Sequence, residues 1–194
     1  REVPGGAVLW SVDTGMSFES QPLVLDGRVY AASLEGALFA VDIETGKVLA
    51  RASGLGQIKG GLAVDPSGKA LYAGSYDNHL YRVSVPDLAV VWRFKAENYI
   101  NGRPSVLSDG TVAFGSCDGN LYLVDPDSSR ELARVAASSY IPSTPAIDPG
   151  NVVFFAGYEG DVTAWSLRSG TRWKAAEESF GPATAPAVYS RDRV

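Results

Sequence analysis

The feature that most constrains this chain is one short phrase stated four times. "SLEGALFAVD" begins at Ser33, "SYDNHLYRVS" at Ser75, "SCDGNLYLVD" at Ser116 and "GYEGDVTAWS" at Gly157, at spacings of 42, 41 and 41 residues. Self-similarity at a near-fixed period of this length is the mark of a repeat architecture. The columns agree in chemistry. An acid fills the third (Glu35, Asp77, Asp118, Glu159), Gly or Asn the fourth (Gly36, Asn78, Gly119, Gly160), and a branched apolar residue the sixth (Leu38, Leu80, Leu121, Val162). An acid followed by Gly or Asn tolerates the positive backbone angles of a two-residue hairpin turn, so each copy is expected to be a hairpin.

Each period holds four short strand-like runs separated by turn formers. In the first copy they are "PLVL", "RVYAAS", "ALFAVD" and "KVLARA", joined by "DG", "LEG" and "IETG". No apolar pattern persists at helical spacing, so essentially no helix is expected. Four strands per repeat of ~40 residues make the blade of a β-propeller, and the fold class is therefore all-β, with four-stranded antiparallel blades. The complete blades are placed at about residues 21–52, 60–95, 102–136 and 143–176 of a single propeller domain or fragment.

Composition narrows the function classes. No apolar run approaches the ~20 residues of a membrane span. Net charge is −5, and basic residues occur only as scattered singles, which disfavours nucleic acid as a partner. Cys117 is the only cysteine, so no internal disulfide or multi-Cys metal site can form. Cys117 sits in the column of Leu34, Tyr76 and Tyr158 and is read as a small packed residue; His79, the only histidine, is read as a solvated residue at a strand start. "GLGQIKGG" lacks both the following helix and the Lys-Ser/Thr pair of a phosphate loop.

"ALFAVDIETGKVLA" resembles the tryptophan-docking motif of the quinoprotein, or PQQ-like, propellers, with Ala40, Asp42, Thr45, Gly46 and Lys47 in place and Ala50 where the Trp would stand. The Trp is present in alternate copies, as Trp10, Trp92 and Trp173, with Ala50 and Ala133 between them. The resemblance implies that Trp10, Trp92 and Trp173, with Asp42 and Gly46, dock adjacent blades. At the Ala positions it implies looser seams or compensation by neighbours. "SQPL", "GRPS", "STPA" and "TAPA" repeat a companion signal before the innermost strand.

Counting strands leaves the ends incomplete. "AVLWSV" (7–12) reads as an outermost strand and 184–194 as the start of a further blade. These pieces could share one blade of a five-bladed ring, or the chain could be part of a longer propeller. The second is expected, because an open blade exposes sheet edges.

Resemblance to quinoprotein dehydrogenases would imply pyrroloquinoline quinone, Ca²⁺, a catalytic Asp and commonly a Cys-Cys pair. That pair is absent, and the acids at Asp65, Asp125 and Asp148 lie in turn sequences rather than at calcium-loop spacing. No cofactor, metal or catalytic residue is therefore expected. The informative segments are the connections from each outer strand to the next inner strand, which in propellers gather around the channel. Their apolar members (Phe18, Ile58, Ile100, Ile141) are expected to plug the space between inner strands, while Tyr99, Tyr140, Lys59, Asn101 and Arg103 are the candidate binding residues. The function expected is a non-enzymatic scaffold for a protein or peptide partner, of the type of the BamB-like lipoproteins, with self-association through open blade edges. The alternatives are a fragment of a PQQ-dependent dehydrogenase, or a chain trimmed to study propeller closure. The resemblance leans towards the periplasm or exterior of a bacterium.

Overall fold

The computed structural model describes residues 6–170 and 172–175. Among them are sixteen strands in four antiparallel sheets, with no helix. Each sheet takes its strands in chain order. Blade A is β1 (Leu23–Leu25), β2 (Arg28–Ala32), β3 (Leu38–Asp42) and β4 (Val48–Ala52). Blade B is β5 (Leu62–Val64), β6 (Ala70–Gly74), β7 (His79–Ser84) and β8 (Val90–Lys95). Blade C is β9 (Ser105–Val106), β10 (Val112–Gly115), β11 (Asn120–Val124) and β12 (Glu131–Ala136). Blade D is β13 (Ala146–Ile147), β14 (Val152–Ala156), β15 (Val162–Ser166) and β16 (Arg172–Ala175).

The cores lie between the blades. Side chains alternate across a strand, so each third strand feeds two seams. In β3, Leu38 and Ala40 pack with Leu71, Tyr81 and Val83 of blade B, while Phe39 and Val41 pack with Trp10 and Val12. In β11, Tyr122 and Val124 join the B/C seam, and Leu121 and Leu123 join the C/D seam. Each blade therefore needs a neighbour on either side to cover its apolar faces.

The repeated hairpin differs in detail from the two-residue turn expected. Ser33 N–H donates to the Ala37 carbonyl and Gly36 N–H to the Ser33 carbonyl, and the three other copies repeat both bonds. Only the fourth column has positive φ, from 73° at Asn78 to 93° at Gly160. This is a three-residue loop with a left-handed residue at its close. The acid acts through its carboxylate instead: Asp77 accepts from His79 N–H and Asp118 from Asn120 N–H, each at the start of the next strand. His79 stays beside this turn, its Nδ1 2.9 Å from the Asp77 carbonyl.

Residues 7–12 also differ from expectation, because they belong to no sheet. A fourth strand is held only by the ladder of its third, and no described strand offers that ladder. The segment is fixed by side chains instead: Trp10, Val12 and Met16 pack on Phe39 and Val41. The stretch 184–194 lies outside the described residues.

Two kinds of seam alternate. Trp10 Nε1 donates to the Ile43 carbonyl at 2.8 Å, and Trp92 Nε1 donates to the Pro126 carbonyl at 2.8 Å. Ile43 and Pro126 are the same position of the β3–β4 and β11–β12 turns. In each turn the preceding Asp accepts a backbone N–H and a hydroxyl, Asp42 from Thr45 and Asp125 from Ser128. These bonds hold both carboxyls below the usual range; the Thr45 hydroxyl leads for Asp42, and the Ser128 backbone for Asp125. Gly46 (φ 71°) closes its turn with room for the indole, since a Cβ there would stand 2.8 Å from the Trp10 ring.

Where the Trp column holds Ala, the receiving turn fills the seam. The position equivalent to Gly46 is Leu88 in blade B, with φ 60° and 2% exposure, in the same cluster as Ala50 and Val85. Beside Ala133 the equivalent position is Gly170, and Leu167 of the turn packs in the seam together with Trp165 of β15. Compensation from the next blade, rather than a loose seam, answers each missing indole.

Candidate binding site at the channel mouth

The inner strands β1, β5, β9 and β13 face one central space, lined by Leu23, Leu62, Val106 and Ile147. The connections leading into them meet the repeated hairpins on one face. Leu34 N–H donates to the Ser17 carbonyl, Tyr76 to Gln57, Cys117 to Tyr99 and Tyr158 to Tyr140. A second bond follows one residue later: Ile58 N–H donates to the Ser33 carbonyl, Ile100 to Ser75 and Ile141 to Ser116. The three connections between described blades are therefore each tied to the hairpin before and the hairpin after, while the connection through Ser17 is tied to the hairpin after it.

Ile58, Ile100 and Ile141 are fully buried, as the plug reading requires. Phe18, at the equivalent position, is 42% exposed, its ring centre 6.0 Å from that of Phe39. The expectation for Phe18 is corrected. A plug needs a blade on both sides, and the described residues give Phe18 only blade A.

One residue beyond the plugs stand Glu19, Lys59, Asn101 and Pro142, where successive connections come into contact. A Cβ on Gly60 would run into the backbone of Asn101 and Gly102, so glycine is what allows this approach. Lys59, Asn101 and Arg103 share a cavity of about 410 Å³ with Glu19, Tyr76 and Thr144. Lys59 Nζ lies 3.5 Å from a Glu19 carboxylate oxygen and 5.1 Å from the centre of the Tyr76 ring. Tyr76 donates its hydroxyl to Asn101 Oδ1 at 2.7 Å, and Asn101 Nδ2 donates to the Pro142 carbonyl at 3.3 Å. Lys59, Tyr76, Asn101 and Pro142 thus form a chain of contacts across the connections of three successive blades.

The guanidinium of Arg103 stands apart from this chain. Its backbone N–H donates to Thr144 Oγ1 at 3.1 Å, yet no carboxylate among the described residues pairs with its side chain. Arg103 lines the polar cavity and also the neighbouring space of about 330 Å³ between the inner strands.

Tyr99 and Tyr140 stand outside the lining of this cavity and stack on tyrosines of the hairpins. Tyr99 is 47% exposed and stacks on Tyr76, with ring centres 5.0 Å apart and planes 17° apart. Tyr140 is 37% exposed and stacks on Tyr158 at 4.3 Å and 21°. The stacking partners Tyr76 and Tyr158 were missed as candidates, although both occupy the second column of the repeated phrase. Cys117 holds the same column between them. Burial pushes its thiol up, Asp118 adding to the effect, so the protonated form is favoured. Burial likewise pushes up the Tyr76 phenol.

Of the docking residues, Trp10 and Trp92 are bonded to turns as described, with Asp42 and Gly46 shaping the first of these. Trp173 is 56% exposed and meets Phe154 edge-on at 6.4 Å, with no carbonyl acceptor among the described residues. The described residues also hold no group of three metal-ligating side chains, and no helix long and apolar enough to cross a membrane.

Comparison with solved structures sets this arrangement among known propellers. BamB from Moraxella catarrhalis superposes with a TM-score of 0.79 at 15% identity, over 94% of this chain and 59% of that one. The computationally designed Ika8 protein gives 0.74 at 16% identity, over 87% of this chain and 52% of that one. The computationally designed Ika4 protein gives 0.72 at 16%, over 84% of this chain and 99% of that one. The chain thus spans less than two thirds of the length of the first two. No curated protein sequence matches it. The family profile described as outer membrane protein assembly factor BamB matches residues 2–189. Matched over nearly its whole length, the chain belongs to the BamB family of β-propellers.

Proposed function

We propose that this propeller is a non-enzymatic scaffold that binds a protein or peptide segment across its channel mouth. The observation that carries the reading is a polar cavity lined by Lys59, Asn101 and Arg103, the last with no ion-pair partner among the described residues, on the face where the exposed Tyr99 and Tyr140 stack on Tyr76 and Tyr158. Exposed tyrosines held flat by a stacked neighbour lose little rotamer freedom on binding, and aromatic and Arg side chains supply most hot-spot energy at interfaces. Two backbone bonds anchor each of the three connections between described blades, so these loops are displayed with little freedom to rearrange. The name of the family, an assembly factor, supports a role in bringing proteins together.

The test is selection of peptides from a phage-displayed random library on the immobilised protein, followed by titration of a selected peptide. Tyr99→Ala with Tyr140→Ala should weaken binding by roughly 30-fold or more while leaving the thermal midpoint unchanged. Selected peptides that bind this double variant as well as the parent would sink the reading.

A further inference from the structure

We propose that Arg103 anchors the free carboxylate at the end of a peptide chain, with the terminal aliphatic side chain seated among the inner strands. This rests on the channel-mouth reading above and gives its partner a chemistry. Three observations carry it. The first is charge. Lys59 is committed to Glu19 and to the Tyr76 ring, whereas the Arg103 guanidinium has no carboxylate partner among the described residues. A guanidinium presents a planar fork of donors that matches a carboxylate in two parallel hydrogen bonds.

The second is position. Arg103 stands at the junction of two spaces of different character. One is mainly polar and holds Lys59, Asn101 and Thr144; the other is mixed, with Leu23, Leu62, Val64, Val106 and Ile147 beside Ser105. A group that satisfies both carries its anion and an aliphatic branch on adjacent atoms, as the last residue of a chain does. A phosphate has no apolar branch to offer, and its second charge would lie close to Glu19 in the same cavity.

The third is access. The cavity holds about 410 Å³. A chain end places one strand of backbone in that space, whereas an internal loop must fold two into it. The preceding residues then leave past Tyr76, which lines the cavity, and Tyr99 stacked on it.

Fluorescence anisotropy on the whole protein tests this, with a short fluorescein-labelled peptide ending in leucine, as the free acid and as the C-terminal amide. The free acid is expected to bind about tenfold tighter or better. Arg103→Gln should erase that ratio by weakening the acid alone, and Arg103→Lys should restore part of it, with both variants keeping the parental thermal midpoint. An amidated peptide carrying an internal glutamate should bind no better than the leucine amide, and acetyl-leucine should compete only weakly. Equal binding of acid and amide overturns the proposal; if that binding still falls in Tyr99→Ala, the mouth stands as a recognition surface without a carboxylate anchor. Strong binding of the internal glutamate, or full competition by acetyl-leucine, also overturns the chain-end assignment. Loss of all peptide dependence on both Arg103 and Tyr99 removes this proposal together with the channel-mouth reading.

Discussion

The Trp92 indole N–H donates to the carbonyl of Pro126, 34 residues further along the chain, at the same 2.8 Å at which Trp10 bonds Ile43. One bond, made twice by equivalent atoms, joins the strand β8 to the outermost turn of blade C and the segment 7–12 to the outermost turn of blade A. Trp92 also packs against Tyr72, with ring centres 5.9 Å apart. Trp92→Ala should therefore cost roughly 2–4 kcal/mol, the lower end reflecting its partial exposure. Trp92→Phe keeps a ring but strips the Pro126 carbonyl of its donor, and about 1 kcal/mol should be lost. Urea unfolding measures both, and equal losses would mean that the hydrogen bond is the whole contribution.

Gly46 and Gly170 share a position in their turns and a similar backbone, with φ 71° and 68°. Their surroundings differ. A Cβ at Gly46 would meet the Trp10 ring at 2.8 Å, while at Gly170 nothing stands within 4 Å. Gly170→Ala should cost only the left-handed strain of about 1 kcal/mol. Gly46→Ala should cost roughly 2–3 kcal/mol and shift Trp10 fluorescence as the indole leaves its seat. The ordering is the test, and equal costs would show that the contact with Trp10 is without weight.

Leu88 and Ala50 should behave as one unit. Leu88→Gly sacrifices a buried side chain but relieves left-handed strain, for a net loss of about 1–2 kcal/mol. Ala50→Trp alone overfills the seam, at roughly 1–3 kcal/mol. Together they recreate the arrangement at Trp10 and Gly46, with the Val85 carbonyl as acceptor. The double variant should then be more stable than the sum of the singles predicts by about 1 kcal/mol or more. Additive losses in a double-mutant cycle would refute the exchange.

Tyr81 provides a pH signature. Burial first, and then the Asp77 carboxylate that accepts its hydroxyl, push its phenol from 10.0 up to about 12. Because the folded state holds the proton more tightly, this contribution to stability is complete below about pH 10 and is lost as pH rises from about 10 to about 12. Asp77→Asn should lower the Tyr81 midpoint and flatten the alkaline fall in stability. Ultraviolet titration of the parent against Tyr81→Phe isolates this phenol. A difference curve centred near the ordinary tyrosine value would contradict the assignment.

Most of the blade was legible because its signals are local. The "DG" turn of blade A appears as Asp26 and Gly27 at φ 46° and 70°, and strand alternation fixed which side chains turn inward. What was not legible depends on the adjoining repeat. Nothing near Phe18 in sequence differs enough from Ile58 to announce that one is exposed and the other buried; among the described residues a preceding blade stands beside Ile58 and none beside Phe18. The stacking of Tyr99 on Tyr76 joins residues of different segments and reads as two unrelated tyrosines until the connections are folded over the hairpins. A trace of the seam alternation was present in the Asp42, Ser84, Asp125, Ser166 column, which changes in step with Trp and Ala. Its meaning required the turn and the indole to be seen together.

That alternation sets the grain along which this protein can be cut or spliced. Deleting blade A alone would deliver Trp10 onto the turn that holds Leu88, a collision of two space-filling side chains. Deleting blades A and B together would deliver it onto the turn of blade C, where Pro126 already receives an indole and Ser129 is small. The interchangeable part is a matched couple of blades, one bringing the indole and the other the aliphatic plug, and lengthening or shortening should succeed in steps of two.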